Sequence, residues 1–424
     1  MSQRRAIVAG AGLAGLAAAV ALRQAGLDVA ISDSAAQAGG RCRSYHDPVL
    51  GMTIDNGNHL VLSGNAAVAD FRAAVGADTP LAGPAHADFA FADLASGERW
   101  TLRMNDSDMP WWIASKDRRV PGTRLLDYLP LMRLLSGGNE RIDSVVRAEG
   151  PLWERMLEPV LLAALNTDPA QSSARLAANV LKETIGQGGL FTRPRIAVPT
   201  LAAAFVDPAA GWLAGWGTFL KTGRRLRHIE FAEDAVRALE WSDGREEIGT
   251  DDVVVLAVPS WIAAELAPGI NVPTDHRGIV NVHFAVAPGE AVPDMPDMLG
   301  LLGGTAQWLF CHPGRVSVTI SAADALIGLE REELAARCWR DVAQALNLSG
   351  PLPPWQVVKE KRATFAATPV QDALRPESRT PWRNLFLAGD WVQNGLPATI
   401  EGALRSGDNA ARLALGQPLR YGAA

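Results

Sequence analysis

The sequence predicts an α/β fold in which a Rossmann-like nucleotide-binding domain carries an inserted domain of mixed sheet and helix. The first observation is the order strand, glycine turn, helix, strand and acid between Arg5 and Asp33. The second is the apolar, β-branched run 251–259, typical of a strand buried in a parallel sheet. The third is a strand followed by a helix over 384–415. Because these segments lie far apart in the chain, a sheet built from them must be interrupted by a second domain.

The N-terminal glycine turn predicts a dinucleotide site. Gly10 permits a tight turn, Gly12 lets a diphosphate approach the backbone, and Gly15 lets the helix pack closely on the strand. The helix start offers free N–H groups and a partial positive charge to phosphate oxygens. Asp33, about twenty residues beyond the glycines, is placed to accept hydrogen bonds from a ribose.

The loop after Asp33 indicates which dinucleotide is bound. Its paired glycines end in Gly40 and are followed by Arg41, which can pair with a diphosphate through two hydrogen bonds. This arrangement resembles the FAD-binding motif of the amine oxidase and phytoene desaturase superfamily. The resemblance implies FAD and a nucleotide domain of the amine oxidase or glutathione reductase type. Since the C-terminal segment has no cysteine, we expect the FAD to be non-covalent.

Two further segments are expected to contact the flavin. Asp390 ends the predicted strand 384–390, where its carboxylate can accept hydrogen bonds from the ribityl chain. A helix beginning near Thr399 and Ile400 would direct N–H groups at the flavin pyrimidine oxygen. Superfamily chains also pass a turn along the flavin. The matching turn here contains Asn56 and Gly57, which the resemblance implies are cofactor-binding.

The middle of the chain resembles a narrower family, the hydroxysqualene dehydroxylases, also described as squalene-associated FAD-dependent desaturases. The likeness runs through 164–169, 307–310, 361–369 and 395–401. It implies reductive removal of the hydroxyl of hydroxysqualene to give squalene in bacterial hopanoid biosynthesis, with hydride from reduced flavin. It also implies a long apolar isoprenoid substrate, an electron donor that the sequence does not identify, and upstream enzymes of squalene synthesis as neighbours in the pathway.

His59 is the candidate general acid, because it directly follows the flavin-side turn. A proton donor is needed for the departing oxygen. The alternative is that His59 only hydrogen-bonds the backbone or a flavin edge. His283 and His312 in the second sheet are rivals with structural roles as their alternative, and Glu401 is expected to cap or orient.

Composition excludes several other classes. The formal charge of −6 over 424 residues argues against nucleic acid as a partner. Three widely spaced cysteines give no disulfide framework, and no His/Cys cluster has metal spacing, which suits a cytoplasmic enzyme without a metal. The uncharged run 6–22 is shorter than the roughly 20 residues of a membrane span.

The expected substrate also predicts contact with a membrane. A thirty-carbon polyene is costly to dissolve in water, so entry from the bilayer is favoured. Trp111 and Trp112, beside cations in 110–119 and followed by the apolar run 125–135, are typical of a membrane interface. We therefore expect peripheral association with the inner face of the membrane. The alternative is an internal helix with a solvated basic edge.

Three other functions stay open at this point. An oxidative polyprenoid desaturase of the phytoene type would share the cofactor and the substrate class. An amine oxidase would usually have an aromatic cage at the flavin, for which only three tyrosines and Trp391 are available. A non-catalytic isoprenoid-binding chaperone would share the architecture but would not need both FAD motifs.

The expected organisation is discontinuous. A strand pair is predicted in 87–102, a largely helical stretch in 107–181, strands at 279–284, 307–310 and 316–321, and a helix at 330–346. We assign 1–74, 215–275 and 381–424 to the FAD-binding domain, 75–214 to a substrate domain with a helical part, and 276–380 to the second sheet of that domain.

Overall fold

The computed structural model describes residues 4–286 and 297–421. Its strands, in chain order, are β1 (Arg5–Ala9), β2 (Asp28–Ser32), β3 (Ser44–Asp47), β4 (Met52–Asp55), β5 (Leu60–Leu62), β6 (Leu81–Ala82), β7 (Asp88–Asp93), β8 (Arg99–Arg103), β9 (Pro194–Ala197), β10 (Leu226–Ala232), β11 (Ala235–Trp241), β12 (Gly244–Glu247), β13 (Val253–Leu256), β14 (His276–Ala285), β15 (Met298–Leu302), β16 (Trp308–His312), β17 (Arg315–Ile320), β18 (Trp355–Phe365) and β19 (Leu385–Leu387). The α-helices are α1 (Leu13–Gln24), α2 (Ala66–Ala74), α3 (Leu129–Leu135), α4 (Ile142–Val145), α5 (Glu158–Leu165), α6 (Ala174–Glu183), α7 (Gly189–Thr192), α8 (Asp207–Gly215), α9 (Ser260–Leu266), α10 (Arg331–Leu346), α11 (Pro369–Ala373) and α12 (Ile400–Ala414).

A four-stranded parallel sheet in the order β19-β13-β1-β2 unites three distant parts of the chain. Ala6 pairs with Val253, and Val255 pairs with Phe386. The predictions of a buried parallel strand in 251–259 and of a C-terminal strand in 384–390 are therefore confirmed. All four residues of β13 are buried, as its β-branched composition requires.

The two faces of this sheet pack against different layers. Alternate residues of β1 and β13, such as Val8 and Val255, pack against α1 and α12, while Ile7 and Val254 lie in the cluster that includes β10 and β11. Strands β10, β11 and β12 form their own antiparallel sheet. The result is a three-layer domain of helices, parallel sheet and small antiparallel sheet.

A second, seven-stranded sheet has the order β18-β14-β17-β16-β15-β7-β8. It contains the predicted strand pair as β7 and β8, and the three strands predicted in 279–321 as β14, β16 and β17. Helix α10 covers one face, burying Val282, Val318 and Phe284 against residues such as Leu334 and Val342. The opposite face carries polar side chains, and it lies against the turn that precedes β5.

The region 107–181 is helical, as predicted, but its helices are short. A 3-10 helix at Trp111–Ala114 and another at Leu125–Tyr128 precede α3. Trp112 is 1% exposed and packs edge-on against Tyr128, so the interfacial position expected of both tryptophans is wrong for Trp112. Trp111 is 50% exposed. In the described ranges, no helix has the length and apolar content needed to cross a bilayer.

Candidate cofactor and active site

In the glycine turn between β1 and α1, a side chain would fit at Gly12 but not at Gly10 or Gly15. Gly10 has a φ of +109°, and a Cβ there would lie 2.2 Å from the Ala257 carbonyl oxygen. A Cβ on Gly15 would lie 1.9 Å from the Gly10 oxygen, because α1 crosses close to β1. Gly12, at the start of α1, has no atom within 4 Å of its Cβ position. The helix start is therefore accessible to a phosphate group beside Gly12.

The loop after β2 folds back onto this turn. The Asp33 carboxylate accepts hydrogen bonds from the backbone N–H of Ala11, at 2.7 Å, and of Ala35, at 2.8 Å. The Gly39 N–H donates to the Ala11 carbonyl at 2.8 Å, and a Cβ on Gly40 would lie 3.4 Å from the Gly12 Cα. The structure thus brings Gly10, Gly12, Asp33 and Gly40 together, at the end of β1.

Arg41 joins this loop to the C-terminal segment. Its guanidinium nitrogens lie 2.7 Å and 2.8 Å from the two carboxylate oxygens of Asp390, and it also donates to the Ala363 carbonyl of β18. The Arg41 side chain is 42% exposed, whereas that of Asp390 is 8% exposed. One side of the guanidinium is therefore available to an anionic ligand.

Arg375, which no sequence motif indicates, binds the backbone of the loop that contains Asp390. Arg375 is buried and donates to the backbone carbonyls of Asp390, Trp391 and Val392 at 2.8–3.3 Å. It also donates to the fully buried carboxylate of Asp372, at 3.1 Å. The signal available in the sequence was an arginine close before a predicted strand, which is too common to single out.

Helix α12 begins where it was predicted. Thr399 is its N-cap, and its hydroxyl accepts a hydrogen bond from Gly402 N–H at 3.0 Å. Ile400 is the first helical residue. Glu401 is 3% exposed and accepts hydrogen bonds from Ala67 and Val68 N–H, both at 3.0 Å, at the start of α2. It therefore caps α2, in line with the orienting role expected of it.

The turn after β4 lies between the two sheets. Asp55 is buried and accepts hydrogen bonds from the Ser44 hydroxyl and from Leu201 N–H, and burial nevertheless raises its pKa. Asn56 donates to Glu360 of β18 at 3.4 Å. A Cβ on Gly57 would lie 3.1 Å from the Asn281 amide nitrogen, so the turn touches the polar face of the second sheet.

His59 is half-buried beside this turn, with its Nε2 3.8 Å from the Cβ position of Gly57. Desolvation and then the charge of Arg41 lower its pKa to about 4, against an opposing effect of Asp390. At neutral pH the imidazole is therefore uncharged. The electrostatic effects of Arg41 and Asp390 on the ring indicate that His59 lies near these two candidate cofactor residues.

The rival histidines lie elsewhere on the second sheet. His283 is fully buried, and its Nδ1 lies 2.8 Å from the Ser317 hydroxyl. Desolvation followed by the charge of Arg315 lowers the pKa of His283 to about 3 and that of His312 to about 4. Cys311 is buried with a pKa raised to about 12 by desolvation, which makes it an unreactive thiol.

A buried polar cluster on the second sheet was missed. The Thr319 hydroxyl donates to Asn281 Oδ1 at 2.8 Å, and Asn58 donates to Thr319 at 3.0 Å. The signal for it was alternation: Asn281 and His283 interrupt the apolar positions 280, 282 and 284 with a period of two. The cluster and Glu360 add to the polar groups on this face of the sheet, which also carries His283 and Ser317.

These residues fit a flavin dinucleotide. The open side of Gly12 at a helix start, the adjacent Asp33 and the exposed face of Arg41 suit a ribose and a diphosphate. Asp390 and the start of α12 suit the ribityl chain and the flavin ring. In the described residues, no group of His, Cys, Asp and Glu is arranged to hold a metal ion.

Comparison with known proteins agrees with this geometry. Residues 13–415 match the family of flavin containing amine oxidoreductases. The chain is 48% identical to the hydroxysqualene dehydroxylase of Rhodopseudomonas palustris and 46% identical to that of Sinorhizobium fredii, covering at least 96% of this chain and 97% of each relative.

Solved structures show the same fold at low sequence identity. A putrescine oxidase double mutant has a TM-score of 0.71 at 16% identity, covering 98% of this chain and 99% of the other. Cyclohexylamine oxidase from Brevibacterium oxydans has a TM-score of 0.68 at 15% identity, with the same coverage. The expected α/β fold and the assignment to FAD are therefore confirmed. The chain belongs to the flavin containing amine oxidoreductases and, within them, to the hydroxysqualene dehydroxylase family of FAD-dependent oxidoreductases.

Proposed function

We propose that this protein removes the hydroxyl group of hydroxysqualene by reduction, giving squalene for hopanoid biosynthesis. The observation that carries the proposal is the likeness of 45–48% over 96% or more of the chain to three proteins with this name. Such a likeness extends over both the cofactor residues and the second sheet. Substrate and reaction direction are the parts of the proposal that need a direct test.

The chemistry requires a hydride, a proton and a dry site. The carbinol carbon is allylic, so the positive charge that develops as the C–O bond breaks can be delocalised. Reduced FAD, when bound, supplies the hydride that forms the new C–H bond. The chain must bind the polyene, protonate the departing oxygen so that it leaves as water, and exclude solvent.

We assign the proton to the imidazole of His59. In its neutral form the ring offers one N–H to the substrate oxygen. Its pKa of about 4 reflects desolvation and the charge of Arg41, and a negative charge bound next to the ring would raise that pKa. His59 would then hold a proton next to the site and release it as the C–O bond breaks.

The polar cluster of Asn58, Asn281 and Thr319 is suited to orienting the substrate hydroxyl. It adjoins Gly57 and His59 on a sheet face that includes the apolar side chains of Trp308 and Phe310. The substrate hydroxyl would meet hydrogen-bonding groups at this point. Dispersion and hydrophobic contacts with apolar side chains such as Trp308 and Phe310 would hold the polyene chain.

We also propose that the enzyme works in the cytoplasm, at the inner face of the membrane. The substrate supports this location, since a thirty-carbon polyene is far more soluble in a bilayer than in water. The electron donor would then reach the flavin from the aqueous side. Domain limits of 1–74, 215–275 and 381–424 for the FAD-binding part belong to the same proposal, with the inserted segments 75–214 and 276–380 forming the substrate domain.

The test is a single turnover without oxygen. Protein loaded with FAD and reduced by dithionite is mixed with hydroxysqualene, and squalene is measured together with the return of oxidised-flavin absorbance. We expect one squalene for each flavin reoxidised. No squalene here, combined with desaturation of squalene or phytoene by the oxidised protein, would replace the proposal with an oxidative desaturase.

A further inference from the structure

The region 109–132 exposes a cluster of large apolar side chains that we call the apolar belt. Met109 lies just before the first 3-10 helix, and the other members project from the two 3-10 helices and from α3. Each is about half exposed or more: Met109 (70%), Trp111 (50%), Leu125 (49%), Leu126 (71%), Leu129 (61%) and Met132 (66%). Soluble proteins rarely leave so many large apolar groups exposed in one place. A partner for this surface is therefore expected.

Buried residues fix the helices that carry the apolar belt. Trp112 and Tyr128, from the same two 3-10 helices, are buried against each other with ring centroids 5.6 Å apart. The Tyr128 hydroxyl accepts a hydrogen bond from Val120 N–H at 3.0 Å, and Leu134 of α3 is fully buried. Because these inward residues fix the helices, the outward apolar residues are presented together.

The charge around the apolar belt is opposite to that of the whole protein. Residues 109–135 contain five cations and two carboxylates, a net charge of +3 in a chain of −6. In the described ranges, none of these five cations forms a salt bridge; they are Lys116, Arg118, Arg119, Arg124 and Arg133. Arg118 instead lies over the Trp111 ring at 4.7 Å. Exposed apolar groups beside unpaired cations match the interface of an anionic bilayer.

The apolar belt is also close to the candidate active site. Helix α3 packs on α6, and Asn179 of α6 donates to the Gly395 carbonyl in the C-terminal flavin segment at 2.8 Å. One helix layer therefore separates the exposed surface from the loop that begins at Gly389. A lipid substrate leaving the bilayer at this surface would have a short path to the site.

We infer that the apolar belt docks the protein on an anionic lipid bilayer. The inference rests on the proposed function in one respect, namely that the substrate resides in that bilayer. The sequence predicts that Trp111 and Trp112 lie at a membrane interface. In the structure, Trp111 and the exposed residues of α3 are available for that contact, and Trp112 is not. A second copy of this chain is the competing occupant, and the test separates the two.

The test compares a triple variant of the apolar belt with a double control variant in a vesicle sedimentation assay. Leu126→Ser/Leu129→Ser/Met132→Ser removes three belt residues, and Phe219→Ser/Val370→Ser removes two equally exposed apolar residues outside it. With vesicles of 30% phosphatidylglycerol in phosphatidylcholine, we expect the first variant to bind at least roughly tenfold more weakly, since each apolar side chain adds to partitioning. The second variant should bind like the wild type. Arg124→Glu should weaken binding to these vesicles, with a smaller effect on pure phosphatidylcholine.

Vesicle binding tests the docking inference, and turnover tests the proposed function separately. Equal vesicle binding by the belt variant and the wild type would overturn the inference, as would a concentration-dependent dimer that the belt substitutions abolish without any effect on vesicles. Turnover of detergent-solubilised hydroxysqualene by the belt variant should stay within about twofold of the wild type, because the substitutions lie outside the site. Loss of turnover by the wild type itself would count against the proposed function and leave the docking result standing.

Discussion

The guanidinium of Arg41 and the carboxylate of Asp390 lie 2.7 Å apart, although 349 residues separate them in the chain. The pair joins the loop after β2 to the loop after β19. Both residues come from segments that independently resemble flavin-binding motifs. Their contact is therefore the point at which two local sequence signals become one site.

Replacing Asp390 by Asn should weaken FAD binding without unfolding the protein. A hydrogen bond to a charged group contributes about 1.5–3 kcal/mol, so we expect a roughly ten- to hundredfold rise in the Kd for FAD. The measurement is flavin fluorescence titration of apoprotein. The matched control is Arg245→Ala, which removes exposed surface ion pairs on β12 and should leave the Kd unchanged. An unchanged Kd for Asp390→Asn would remove Asp390 from the site.

Two glycines of the first turn should respond differently to the same substitution. Gly12→Ala should fold with near wild-type stability, because its Cβ meets no atom within 4 Å, yet it should lose FAD affinity because the methyl group occupies the space beside the helix start. Gly15→Ala should instead lose stability, since its Cβ would lie 1.9 Å from the Gly10 oxygen. Thermal denaturation of the apoprotein and FAD titration separate the two effects. Normal FAD affinity in Gly12→Ala would contradict the assigned position of the diphosphate.

Arg375 should support both the fold and the flavin loop. Arg375→Met removes the donor for three consecutive carbonyls and leaves Asp372 with only Arg175, so we expect the free energy of unfolding to fall by about 3–5 kcal/mol. The control is Arg175→Met. The Arg175 side chain, 40% exposed, also pairs with Asp372, so its loss should cost less. Urea denaturation of both variants measures the difference, and equal losses would contradict the special role of Arg375.

Local motifs predicted the parts of the site that depend on neighbours in the sequence. The glycine turn, Asp33 and the cap at Thr399 follow from spacing over a few residues, and the structure brings them together. The contacts of Glu401 with the start of α2 and of Arg375 with the Asp390 loop depend on partners far away in the chain, and a single sequence does not identify those partners. Trp111 and Trp112 illustrate a different limit. In a 3-10 helix, adjacent residues point about a third of a turn apart, so one tryptophan is buried while its neighbour is exposed.

Replacing His59 by Gln should slow the reduction step and leave FAD binding intact. Loss of a positioned proton donor typically lowers a rate by about 10²–10⁴-fold, which is the range expected for squalene formation in a single turnover. His312→Gln is the control, because His312 lies on β16 and is not placed with the cofactor residues. A decrease of less than about tenfold for His59→Gln would assign the proton to another group.

The histidines with lowered pKa values predict that the protein loses stability in mild acid. The folded-state pKa of His283 is about 3 and that of His59 about 4, both below the ordinary value near 6.5, because desolvation disfavours the charged ring. As the pH falls from 6.5, the unfolded chain therefore binds more protons than the folded one. The free energy of unfolding should fall by up to about 1.4 kcal/mol per pH unit for each such histidine, and this stability is fully present above pH 6.5.

Urea denaturation at pH 7.5, 6.0 and 5.0 measures the slope. His283→Asn keeps a polar partner for Ser317 and removes one titrating ring, so its slope should be shallower than that of the wild type; equal slopes would show that His283 does not contribute.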